Sequence, residues 1–107
     1  MVLATHLSLT EERAQEELIL HARGEVDAST APQFAGALSR AAGDGRERLT
    51  VDLSRVEFID AKGYAALLNA HRKVHDGHGE MAVLCPEGPV RRVLSLLDTQ
   101  GRLRFLP

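Results

Sequence analysis

The stretch from Leu49 to Asn69, LTVDLSRVEFIDAKGYAALLN, constrains the fold more than any other part of the chain. Leu49, Val51 and Leu53 alternate with Thr50, Asp52 and Ser54, which is the period of a half-buried strand. Val56, Phe58 and Ile59 continue the apolar run. After Asp60-Ala61-Lys62-Gly63 the period changes. Tyr64, Leu67, Leu68, His71 and Val74 recur at helical spacing. A buried strand must therefore pass into a helix through one short polar turn. Such a turn leaves the first helical N–H groups open at a sheet edge, where a partner or an anion can reach them.

The flanking segments build outward from that unit. Val2 to Leu9 reads as a first strand at a sheet edge, and Thr10 to Gln15 as a polar turn. Glu17 to Arg23 then forms a second strand and closes a hairpin. Gly24-Glu25-Val26-Asp27 leaves the sheet. Thr30 and Gln33 have the spacing of a capping box, and Pro32 suits a first helical turn. Phe34, Leu38 and Ala41 or Ala42 make the apolar stripe of a first helix, which Gly43-Asp44-Gly45 ends. The second helix ends near Asp76-Gly77-His78-Gly79. Met81 to Cys85 is a continuous apolar run, expected to be an interior strand covered on both faces. Val90, Val93, Leu94 and Leu97 define a third helix behind Pro89, and Leu103 to Leu106 a short last strand. The order β-β-α-β-α-β-α-β implies parallel pairing with right-handed crossovers. The expectation is an α/β fold: one domain over residues 1–107, a mixed sheet of four to five strands, and helices mainly on one face.

Composition removes several function classes. A chain of 107 residues, 44% hydrophobic and 26% charged, can bury one core and is not disordered. A net charge of −2 gives no basic footprint for nucleic acid, and Arg91 and Arg92 are expected to point into solvent. No apolar run is long enough to insert in a bilayer, and no leader peptide is legible at the N-terminus. The lone Cys85 excludes an internal disulfide and suits a reducing cytoplasm. It is expected to be a small buried hydrophobe. No phosphate-binding loop or nucleophile elbow is present, so no cofactor and no enzymatic activity are expected. Asp52 and Asp60 show no evident partner for acid–base chemistry. His71, His75 and His78 include a helical pair that could ligate zinc, but no acid or thiolate completes the set, so no metal is expected. Glu11, Glu12, Glu16 and Glu17 read as a solvated acidic face.

Three stretches resemble the STAS domain of anti-sigma-factor antagonists. Gly24-Glu25-Val26-Asp27 followed by Thr30-Ala31 is similar to the family's G-E-(L/V)-D turn before its first helix. Val56-Glu57-Phe58-Ile59-Asp60-Ala61-Lys62-Gly63 is similar to its (L/V)-x-F-(I/M)-D-S-S-G motif. Gly79 to Val83 and Pro89 to Leu94 are similar to its fourth strand and third helix. The resemblance implies a non-catalytic bacterial regulator of transcription. It would bind an anti-sigma factor that is also a serine kinase of the GHKL type, and so release a sigma factor. The implied contact surface is Asp27, Asp60, Ala61, Lys62, Gly63 and Tyr64, with Tyr64 leaning toward the core.

The chain departs from the family at two positions. Ala61 stands where the family has its phosphoacceptor serine, and alanine has no hydroxyl to phosphorylate. Lys62 replaces the second serine and puts a cation at a helix N-terminus, at a cost of roughly 0.3–1 kcal/mol. Lys62 either selects a partner or extends into water. Two readings stay open: an antagonist that phosphorylation at this position cannot switch, or a STAS subunit of an ABC-type lipid transporter that binds its ATPase. An exposed first strand could also pair with a second copy.

Overall fold

The computed structural model describes residues 6–45 and 47–106. Among them the elements run β1 (Leu7–Ala14), β2 (Glu17–Val26), α1 (Ala31–Ala42), β3 (Arg48–Ile59), α2 (Ala61–Asp76), β4 (Glu80–Leu84), α3 (Pro89–Leu97) and β5 (Phe105–Leu106). The strands form one sheet of five, in the order β1-β2-β3-β4-β5. β1 is antiparallel to β2, and the remaining pairs are parallel. This is the mixed α/β sheet expected, with β1 at an edge.

Strand alternation fixes which face is covered. Leu18, Leu20 and Ala22 of β2, Leu49, Val51 and Leu53 of β3, and Met81 and Val83 of β4 share one cluster with Phe34 and Leu38 of α1. Leu67, Ala70 and Val74 of α2 and Val90 and Leu94 of α3 complete it. One strand face and three helices thus bury a common core. The opposite phase carries Ile19, His21, Thr50 and Asp52, which stay partly exposed. Because β2, β3 and β4 are parallel, the helices that follow them all start at the same edge of the sheet.

Four local expectations are corrected. The predicted first strand, Val2 to Leu9, lies partly outside the described residues, and the observed β1 runs on to Ala14. The predicted turn at Thr10 to Gln15 shrinks to Gln15-Glu16, with Gln15 at φ 50. Thr10 to Ala14 are all exposed, so this edge segment needs no apolar alternation, and its charges protect the edge. The capping box does not form. Thr30 Oγ1 instead accepts from the Asp27 N–H (3.0 Å) and donates to the Glu25 carbonyl (2.7 Å), while Gln33 Nε2 donates to the Leu7 carbonyl (3.1 Å). β4 is the interior strand expected, with Met81, Ala82 and Val83 all buried, although Ala82, opposite Thr50, lies outside the core cluster. The last strand is just Phe105–Leu106, because Leu103 turns into the core ahead of it.

Candidate functional site

β3 is not a regular strand, and its irregularities shape the site. Between His21 and Arg23 of β2 it advances from Asp52 to Arg55, and between Gly24 and Glu25 from Val56 to Phe58. Each step inserts one extra residue, a β-bulge that re-aims side chains. At the first bulge Asp52 Oδ1 accepts from the Ser54 N–H (2.9 Å) and hydroxyl (2.6 Å). At the second bulge Phe58 turns outward and is 48% exposed, while Ile59 returns to the core. Phe58 read from sequence as part of the buried run, and the bulge is the physical reason that it is not.

The last register pair of β2 and β3 is Val26 with Ile59. Each is followed by an aspartate that organises the next turn. Asp27 Oδ1 accepts from the N–H groups of Ser29 (2.9 Å) and Thr30 (3.2 Å). Asp60 Oδ1 accepts from those of Lys62 (3.0 Å) and Gly63 (3.2 Å) and so caps α2. Both carboxylates thus satisfy N–H groups where the chain enters α1 and α2. The turn presents Ala61 and Lys62, both exposed. The Lys62 ammonium makes no hydrogen bond or ion pair among the described residues. Gly63 is buried beneath them. A Cβ there would lie 2.5 Å from Ile59 Cγ1 and 2.9 Å from Val26 Cγ1, so its smallness lets α2 sit down on the sheet.

Tyr64 packs against the core, and its hydroxyl donates to Asp98 Oδ1 at 2.8 Å. Burial, with that carboxylate beside it, pushes the phenol pKa up. Asp98 also accepts from the N–H groups of Arg102 (3.1 Å) and Leu103 (3.0 Å), so Tyr64 ties α2 to the chain leaving α3. Of the six residues expected at the contact surface, Ala61 and Lys62 are exposed, Gly63 is buried, and Asp27, Asp60 and Tyr64 are half-buried. Phe58 joins the same edge and was missed, because strand alternation alone cannot show a bulge.

Several polar groups away from the turn also find partners. Asp52 showed no evident partner in the sequence, yet Asp52 Oδ2 lies 2.7 Å from His21 Nδ1, and His21 Nε2 lies 2.9 Å from Glu12 Oε1. The signal was present: His21 and Asp52 occupy the polar phases of neighbouring strands. Of the four glutamates of the first hairpin, Glu11, Glu12 and Glu16 are exposed and Glu17 is half-buried. Glu11 pairs with Arg13 at 3.0 Å, and Glu17 accepts from the Thr50 hydroxyl at 3.1 Å. Burial raises the pKa of the Cys85 thiol, which disfavours the nucleophilic thiolate. The rings of His71 and His75 stack on each other at 6.4 Å.

The hydrogen bond to Glu12, then that to Asp52, raises the pKa of His21. Burial would raise that of Asp52, but hydrogen bonds from Ser54 and then His21 outweigh it and hold Asp52 low. The His21 contribution to stability is therefore full below about pH 6.5 and fades as pH rises through the higher folded value. The Asp52 contribution is full above about pH 3.9 and fades as pH falls through its lower folded value. Solvent screening keeps the His21 effect below about 1 kcal/mol. The melting temperature should decline from pH 6 toward pH 8.5, and His21→Gln should flatten that decline.

The family model described as "Mlab, STAS domain" matches residues 9–106. The chain belongs to the STAS domain family. The anti-sigma F factor antagonist of Paenibacillus polymyxa is 27% identical to it over 103 residues, which cover 95% of this chain and 86% of that relative. The crystal structure of an anti-sigma factor antagonist from Mycobacterium paratuberculosis matches with a TM-score of 0.85 at 26% identity, over 95% of this chain and 86% of that one. The structure of the anti-sigma factor antagonist SpoIIAA in its unphosphorylated form shows the same fold. Its TM-score is 0.76 at 20% identity, over 94% of this chain and 89% of that one. The protein is an anti-sigma factor antagonist-like STAS domain, and no helix among its described residues is long and apolar enough to cross a membrane.

Proposed function

We propose that this STAS domain is a non-catalytic cytoplasmic regulator that binds an anti-sigma factor through the start of α2 and thereby frees a sigma factor. One observation carries the reading. The capped turn holds Ala61 and Lys62 in solvent at the same sheet edge as the exposed Phe58 ring. An apolar ring beside an unpaired cation suits a partner surface that is apolar and acidic. Asp27, Asp60, Gly63 and Tyr64 serve that surface from below by fixing the turn, and Ala61, Lys62 and Phe58 touch the partner.

Ala61 keeps the interface in one state. A phosphate would add roughly −1.5 to −2 charge next to the partner, and alanine cannot accept one. Incubation with the anti-sigma kinase and ATP should leave the mass of the wild-type chain unchanged and its binding intact. Ala61→Ser should gain one phosphate and lose binding. A phosphate on the wild-type chain that weakens binding would refute this, with Ser29 and Ser54 the hydroxyls to inspect first. Thr30 is buried, with its hydroxyl bonded on both sides.

The missing hydroxyl also supports a second reading, in which the same face docks the ATPase of an ABC-type lipid transporter and the kinase cycle has no role. The neighbouring genes separate the two: a kinase and sigma factor, or transporter components.

A further inference from the structure

We propose that the helix-free face of the sheet carries an oxyanion site formed by Arg23 and Arg55, and that its ligand is a phosphate group, free or as a small monoester. This site lies away from the α2 turn and does not depend on the function proposed above.

The register sets up the site in two rows. Ser8 of β1 lies opposite Arg23 of β2, which lies opposite Arg55 of β3. In the next row Thr10 lies opposite His21, which lies opposite Asp52. Adjacent strands are only about 4.8 Å apart, and like charges directly opposite one another destabilise a sheet. The first bulge of β3 creates this pairing. Ser54 drops out of register, Asp52 clamps its N–H and hydroxyl, and Arg55 emerges beside Arg23.

The nearby carboxylates do not relieve the two guanidinium groups. Asp52 gives one oxygen to Ser54 and the other to His21, and Glu12 binds the far side of His21. Glu57 stands at the outer rim, yet neither arginine has an ion pair among the described residues. The hydroxyls of Ser8 and Thr10 are likewise without partners there. Two adjoining clefts, of about 420 and 520 Å³, share Arg23, Ser54 and Arg55 in their walls. Their size is within the range of small-molecule sites. Paired guanidinium forks match phosphate oxygens in a bidentate geometry that a lysine cannot offer. Ser8 and Thr10 add neutral donors on the β1 side.

The test is an NMR titration of the whole chain with inorganic phosphate, read at the arginine Nε–H signals. Arg23 and Arg55 should shift saturably, with a Kd on the order of 1 mM, while Arg92 on the exposed side of α3 should not. Arg23→Gln/Arg55→Gln should weaken binding at least tenfold, and Arg92→Gln should leave it unchanged. Linear shifts without saturation, equal shifts at Arg92, or undiminished binding by the double variant would overturn the proposal. The wild-type titration decides on its own if the double variant folds poorly. A parallel titration with ribose 5-phosphate separates the sources. Tighter binding of the ester assigns the site to organic phosphates, and equal binding to free phosphate.

Discussion

Phe34→Ala should destabilise the domain by about 3–5 kcal/mol, the range for truncating a buried aromatic side chain. Phe34 has 0% exposure and is the largest of the fully buried side chains, set between α1 and the sheet. Its ring lies in the cluster with Leu38, Leu67 and Val51, so its loss leaves a cavity bordered by three elements. Small domains have only about 5–15 kcal/mol in all, so the variant should be close to unfolding at 37 °C. In urea the midpoint should fall sharply with the slope unchanged. Phe58→Ala is the control: the same residue type, half-exposed, should change stability by less than about 0.5 kcal/mol. Equal effects at the two positions would mean that the bulge does not turn Phe58 outward.

Gly24→Ala should cost about 1–3 kcal/mol or more, because it combines backbone strain with a clash. Gly24 adopts φ +117, and a Cβ there would lie 2.0 Å from the His6 carbonyl oxygen. The obstacle is backbone, which cannot swing aside as a side-chain tip can. The same carbonyl accepts the Glu25 N–H at 3.0 Å, so the start of β1 would be pushed off β2. Hydrogen exchange should therefore rise first along Leu7 to Thr10, ahead of any change in α2. Uniform destabilisation across the chain would contradict this placement of the strain.

Much of this fold can be read from the sequence, because most of it follows from local periodicity. The stripes Phe34–Leu38 and Leu67–Val74, the alternation Leu49–Val51–Leu53, and the glycines after α1 and α2 are each short-range signals, and the structure agrees with them. What was not legible depends on neighbours distant in sequence. The two bulges of β3 exist only relative to β2, so Phe58 could not be told from a core residue. The polar strand from Thr10 to Ala14 holds its place by pairing with β2 rather than by burial. Gln33 fits a capping box by spacing, yet its amide reaches the Leu7 carbonyl, 26 residues away. The site divides the same way. The Asp60 cap and the exposure of Ala61 and Lys62 follow from a strand-to-helix turn, while the roles of Tyr64 and His21 depend on Asp98 and Asp52 across the fold.

The core and the proposed docking face therefore meet in one short segment, Phe58 to Tyr64. Ile59, Gly63 and Tyr64 anchor it below, and Phe58, Ala61 and Lys62 face outward. Variants of the outward residues can then report on binding without disturbing the fold. The most direct test captures partners of the tagged chain from its own cell lysate, beside Phe58→Ala and Lys62→Glu, with mass spectrometry of what is retained. The anti-sigma factor should be recovered by the wild-type chain and depleted at least tenfold by each variant, with melting temperatures unchanged. Recovery of a transporter ATPase in its place, or equal recovery of the anti-sigma factor by all three proteins, would contradict the proposed role of the α2 turn.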